Sequence, residues 1–276
     1  MAILSWDETG KRIYETGVKN GVLYLYDSDP YPEFSATSAY AKGDKVTHDN
    51  KFYVANAAVS AGTWSSSSWD EVKSKYTPGV AWNGLTTVTE TPSGAEETAI
   101  YADDMKYLSL RSKETFGGTI EAYTYPDEFM VCDGSAMPET GVIIGQQKRK
   151  VFGFAYRTAI GNDTDGDSHG YKLHLVYGAT ASPSERAYST INDSPEAISF
   201  SWEISTTPVK FDGTGSYKDY DAVSCITVDS TKVSSAGLSA LQDALYGTVN
   251  SDPYLPLPDE VMSLITSATG ATGATS

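Results

Sequence analysis

The chain predicts a mainly β fold, a sandwich or partial barrel with two or three short helices and a small inserted β module. Three observations predict it. Apolar residues alternate with period two, turn-forming clusters separate those runs, and one segment departs in composition from everything around it.

The alternation is clearest in YKLHLVYG, where Tyr171, Leu173, Leu175 and Tyr177 share one face and Lys172 and His174 the other. In ISFSWEIS, Ile198, Phe200, Trp202 and Ile204 alternate with Ser199, Ser201, Glu203 and Ser205. GTIEAYTYP and VFGFAYR read the same way, with Phe152, Phe154 and Tyr156 together in the latter. Turns are expected at GNDTDGDSHG (161–170), ASPSER (181–186), NDSPE (192–196) and KFDGTGSYKDYD (210–221).

Three stretches read as helices. PDEFMVCDG (126–134) starts on Pro126 and acids and stops at Gly134. SSAGLSALQDALYG (234–247) puts Leu238, Leu241 and Leu245 on one face, and PDEVMSLI (258–265) is a short third. The closing ATGATGATS is low-complexity, so residues 266–276 are expected to be a flexible tail.

Charge narrows the function classes. Against 36 acidic residues stand 20 basic ones, a net charge of −16. A sequence-independent nucleic-acid binder needs Lys and Arg to displace phosphate counterions, so this balance argues against one and for a surface that repels polyanions. Two cysteines, Cys132 and Cys225, are too few for a disulfide framework and are expected as packed free thiols rather than a bridge. No stretch has the apolar length of a membrane helix, and MAILSWDETGKRIYETG lacks the apolar core of a signal peptide. Synthesis in a cytoplasm without membrane insertion or secretory export is expected.

Residues 31–77 stand apart. They hold five acids and five bases, so the remaining 229 residues carry the whole net charge, and they contain 8 of the 32 aromatics. DPYPEF precedes the segment and TPG follows its aromatic run, while GVLYLYD and GVAWNGL on either side read as one scaffold interrupted. The segment is therefore expected to be an inserted module in a discontinuous domain of residues 1–30 and 78–265.

Candidates for chemistry are weak. Asp163, Asp165 and Asp167 have the spacing of a calcium loop, but Ser168 replaces its glycine and His174 its bidentate glutamate. His48, His169 and His174 accompany no nucleophile motif and no zinc spacing, and no phosphate-binding glycine loop is present. The adjacent acids Glu96–Glu97, Asp103–Asp104 and Asp127–Glu128 point to opposite faces if they lie on strands, which disfavours a catalytic dyad. Lys148–Arg149–Lys150 is the lone cationic cluster and reads as a solvated strand start or a subunit contact. No enzyme activity, metal or cofactor is expected.

Outside the insertion, the chain resembles the major tail tube proteins of long-tailed (siphovirus-type) phages of Gram-positive bacteria. The resemblance is carried in order by SWDETGKRIYETGVKNGVLYLYD, GVAWNGLTTVTETPSGAEETAIYADDMKYLSL, GTIEAYTYPDEFMVCDGS, GQQKRKVFGFAYRTAIGNDTDGDSHGYKLHLVYG, ASPSERAYSTINDSPEAISFSWEISTTPV, LQDALYG and DPYLPLPDEVMSLI. It implies a tail-tube-type β-sandwich or partial barrel, a virion structural protein that assembles with itself into stacked hexameric rings. The implied tube contacts tape measure, tail terminator and distal tail proteins and passes phage DNA without binding it specifically. Glu90, Glu96, Glu97, Asp103, Asp104 and Glu121 are expected to line the lumen or the ring contacts.

The insertion resembles a second family, the small chitin-binding-type carbohydrate modules, through Tyr40, Gly43–Asp44–Lys45–Val46, Phe52–Tyr53, Ala61–Gly62 and Trp69. The family's earlier tryptophan is absent, Phe34 being the nearest aromatic, and its His-Thr element before Ala61 is replaced by AAVS. Aromatic faces stack on the C–H faces of sugars, yet so small a module also needs aromatics for its core. Trp69 and Tyr53 are expected to be structural, with Trp64 and then Tyr40 as the stacking candidates for a host-surface glycan. The alternative is a surface or secreted carbohydrate-binding adhesin that forms no tube; an enzyme with an appended sugar module is a third reading.

Overall fold

The computed structural model describes residues 6–191, 197–211, 217 and 219–267. The fold is mainly β, as the alternation predicts, with several antiparallel sheets and three helices among those residues.

The long strand β1 (Ile13–Tyr26) leads into a small three-stranded sheet of β2 (Lys45–His48), β3 (Lys51–Ala55) and β4 (Trp69–Val72). The chain then returns through β5 (Tyr76–Trp82), which pairs antiparallel with β1 in the register Gly21↔Trp82 and Leu23↔Val80. The two halves of the interrupted scaffold are thus adjacent strands, and the aromatic segment occupies the connection between them. Its expected end at residue 77 needs correction: β5 begins at Tyr76, whose ring belongs to the main core.

Next come β6 (Leu85–Glu90), the hairpin β7 (Glu97–Ala102) and β8 (Met105–Arg111), and β9 (Gly117–Ala122). Pro126 precedes a 3-10 turn (Asp127–Phe129) that continues as α1 (Met130–Asp133), ended by Gly134 at φ +84°. A second hairpin, β10 (Ala136–Glu139) and β11 (Val142–Ile144), leads to β12 (Phe152–Asn162) and β13 (Gly166–Ala181). The chain closes with β14 (Phe200–Thr206), β15 (Cys225–Asp229), α2 (Ser235–Tyr246) and α3 (Pro258–Ser267). Ser234 caps α2 by accepting from the Gly237 amide. Because α3 runs to Ser267, the expected tail loses its first two residues to a helix; 268–276 lie outside the described residues, as does the turn expected at 192–196.

The main sheet has the order β5-β1-β12-β13-β14-β9-β6, with β15 also on β13. It curls strongly. Trp82 on β5 and Trp202 on β14 are four strand spacings apart, about 19 Å in a flat sheet, yet their ring centroids are 5.5 Å apart. At Gly21 on β1 an added Cβ would lie 2.3 Å from Leu85 Cδ1 on β6, so the glycine permits the sheet's far strand to close over β1. Inside the curl Leu23, Ile120, Phe129, Phe152, Phe154, Val176 and Trp202 form one core. Outside it, Tyr24, Leu173, Leu175 and Tyr177 pack under Leu241 and Leu245 of α2 and Val261 of α3.

The central strands are consequently buried on both faces, where the alternation predicts a half-buried sheet. The polar face expected for Lys172 and His174 is partly buried, because it lines the curl rather than meeting open solvent. Gly178, at φ +60°, bends β13: Lys172–Val176 pair with β15 and Ala179–Ala181 with β14, and a Cβ there would lie 2.2 Å from the Thr207 carbonyl oxygen. Both cysteines are free. Cys132 is buried as expected, but Cys225 is exposed because β15 pairs only along its β13 side.

Candidate functional site

Within the inserted segment, Val46, Ala55 and Trp69 form a small core of their own, with Phe34, Tyr40, Tyr53, Val59 and Trp64 packed against it. All four aromatics expected at a glycan site are therefore brought into one cluster. Trp69 is buried, 5% exposed, and its indole nitrogen has no hydrogen-bond partner among the described residues. Tyr53 is half-buried and meets Trp64 edge-on at 4.8 Å. The Tyr40 hydroxyl accepts from the Ser35 amide at 2.7 Å and its ring stacks on Phe34.

Trp64 is half-buried too, near-parallel to both Trp69 at 5.1 Å and His48 at 4.1 Å. The loop tryptophan expected to be exposed is thus drawn into a stack, with Phe34 edge-on to it at 5.1 Å. His48 is a member of the cluster that sequence reasoning missed. Its signal was available: it sits on β2 two residues from buried Val46, hence on the same face.

The module is clamped to the scaffold. Lys45 Nζ lies 2.6 Å from Asp27 and 2.7 Å from Asp29, and Tyr31 donates to Asp27. Burial raises the Asp27 carboxyl, but the hydrogen bonds from Lys45 and Tyr31 outweigh it and hold the group below its ordinary value. The Asp27 amide also donates to the Lys75 carbonyl at 2.7 Å, so the two linkers are tied to each other.

The six acids expected at a lumen or ring contact fall in three places. Glu121 lies half-buried on β9 between Ser201 and Thr87. Glu90, at the end of β6, accepts from the Tyr156 hydroxyl at 2.5 Å and lies 3.6 Å from His174 Nδ1. The other four share the β7–β8 unit: Glu96 and Glu97 at its base, Asp103 and Asp104 at its tip with φ +52° and +61°. Those two aspartates are a turn, not a strand pair. Glu97 accepts from Lys106 and Ser109, while the tip aspartates form no ion pair among the described residues.

That hairpin is the feature sequence reasoning did not find. Every residue of β8 is exposed, Met105, Tyr107 and Leu110 each more than half so, as is Tyr101 on β7. The aspartate loop, by contrast, is used internally: Asp163 accepts from the Gly10 amide, Asp165 from Asn162 and His169, and Asp167 from Tyr14. Its three carboxylates thus hold separate partners rather than converging.

The chain matches no protein-family model, and the search of curated proteins found no match. Among the described residues no helix is long and apolar enough to cross a membrane, and no group of three or more His, Cys, Asp and Glu is placed to hold a metal ion.

Proposed function

We propose that this chain is a self-assembling virion structural subunit, a tail-tube-type protomer that forms stacked hexameric rings and displays its aromatic module outward. The observation that carries this reading is the β7–β8 hairpin. It leaves Ile100, Tyr101, Met105, Tyr107, Leu108 and Leu110 exposed on a two-stranded sheet that no other strand of the chain joins among the described residues. An apolar, open-edged hairpin of this kind is stable in solution only when a partner covers it. Neighbouring copies in a ring supply that cover, and β15, which pairs with β13 alone among the described residues, offers a further edge.

The charge fits the same reading. A tube of subunits carrying −16 each repels phosphate, so DNA slides through without being held. Glu96, Glu97, Asp103 and Asp104 put four carboxylates on the hairpin, where they line the bore or the ring contacts. Tape measure, tail terminator and distal tail proteins are the further partners, and the assembled virion is the location.

The module adds weak glycan binding through the accessible part of the Trp64–Tyr40–Tyr53 cluster, with Trp69 as its floor. Repetition around each ring turns a weak single contact into useful avidity. Electron microscopy and sedimentation of the purified protein test the assembly: rings of six and tubes are expected, and a monomer at all concentrations overturns it. A glycan array with the intact protein and Trp64→Ala tests the module; no wild-type binding removes that part alone.

A further inference from the structure

We propose that the two free hairpins of this chain are the two halves of one head-to-tail contact: the β7–β8 hairpin of one copy docks on the β10–β11 hairpin of the next. The inference rests on the self-assembly reading and names the surfaces that perform it.

Two observations carry it. The first is that β10–β11 repeats the anomaly of β7–β8. Met137, Val142, Ile143 and Ile144 are 41–54% exposed on a second two-stranded sheet that joins no other strand among the described residues. Each hairpin presents apolar side chains that its own chain leaves uncovered, so the two do not cover each other within one molecule.

The second is charge. The tip of β7–β8 carries Asp103 and Asp104, exposed and without ion pairs among the described residues. Three residues separate the end of β11 from the lone basic run of the sequence, at the base of a hairpin whose opposite, turn end carries the exposed Glu139. Within the run Arg149 is committed to the fold, donating to the Ala181 carbonyl at 2.9 Å, while Lys148 and Lys150 are exposed and form no ion pair among the described residues. In a chain of net charge −16, most surfaces of a second copy repel an acidic tip, and this one attracts it. An apolar strip with an acidic end therefore meets an apolar strip with a basic end. Because the two surfaces differ, the contact is heterologous and propagates from copy to copy, closing into a ring where the rotation allows.

The experiment is a double-mutant cycle on assembly, read as the half-assembly concentration in sedimentation velocity. Asp103→Asn with Asp104→Asn keeps residues that tolerate positive φ and is expected to raise that concentration about tenfold, as is Lys148→Glu with Lys150→Glu. The lysine reversal is expected to cost several-fold less in the Asn background than in wild type. Additive effects, or no effect of either pair, overturn the docking.

Cross-linking checks it without altering charge. In a Cys225→Ser background, mixing Tyr107→Cys with Ile143→Cys protein is expected to give a disulfide dimer that neither gives alone. Normal rings with no mixed cross-link overturn this contact and leave the tube reading standing; a wild-type protein that never assembles overturns both.

Discussion

Tyr156 donates its hydroxyl to Glu90 while its ring lies flat against His174, centroids 4.5 Å apart and 3° from parallel. The contact joins β12 to β6, four spacings apart in the sheet order, so it fastens the curl from inside. His174, its Nδ1 3.6 Å away, holds the Glu90 carboxyl below its ordinary value, with the hydrogen bond from Tyr156 adding to it against partial burial. A carboxyl depressed in the folded state contributes stability above its unfolded value and loses it as pH falls through the folded one. Glu90→Gln is therefore expected to cost about 1 kcal/mol or less at neutral pH, the carboxylate being 42% exposed, and to flatten the acid limb of stability. Urea titrations at about pH 7 and about pH 3 check it; an unchanged acid limb refutes the fastener.

Sequence reasoning reached the strands through their alternation and the helices through their caps, because both signals are local. The curl is not local. His174 alternates with leucines in YKLHLVYG as a solvent-facing residue would, and only closure of β6 over β12 turns that face inward. The β7–β8 hairpin escaped for a different reason: its turn is Asp103–Asp104, which adopts the left-handed conformation without the Asn-Gly signature of such turns. In the module the aromatic cluster and the core place of Trp69 were legible, but the packing of Trp64 was not. Trp64 lies in a serine-rich loop, yet its ring packs between Trp69 and His48.

The stack of Trp64 on Trp69 ranks the two tryptophan substitutions in the module. Trp69 is buried among Phe34, Tyr40 and Trp64, so Trp69→Ala empties most of the module's core and is expected to cost about 3–5 kcal/mol there. Trp64→Ala, at the half-buried margin, is expected to cost less. Near-ultraviolet circular dichroism and limited proteolysis between residues 31 and 75 report the module, while melting of the main sheet is expected to shift little in either variant. Equal proteolytic sensitivity of the two refutes the ranking.

The thiols differ in reach. Burial pushes the Cys132 thiol up to about 12, whereas Cys225 is exposed on β15, its thiol raised by partial burial and by the carboxylates of Glu90 and Glu114. One equivalent of a disulfide reagent is expected to react with the native protein, more slowly than with a free cysteine because less of the thiolate is present, and two after denaturation. Cys225→Ser is expected to abolish the native reaction. Two native equivalents contradict the burial of Cys132.

Glu260 has the opposite sign to Glu90. It sits on α3 beneath the module's linker, accepting from the Tyr254 hydroxyl at 2.6 Å. Burial raises its carboxyl above the ordinary value; the Tyr254 hydrogen bond and Lys73 lower it only in part, and Glu71 adds to the rise. A raised carboxyl contributes stability below its unfolded value of about 4.5 and loses it as pH climbs through the folded one. At neutral pH the ionised form therefore burdens the junction between α3 and residues 71–74. Glu260→Gln keeps an acceptor for Tyr254 and removes that charge, so its melting temperature is expected to exceed wild type at pH 7, with the gap narrowing toward pH 4 as wild-type Glu260 takes up its proton. A variant less stable than wild type at pH 7 would show that the ionised carboxylate, through Lys73, stabilises the junction instead.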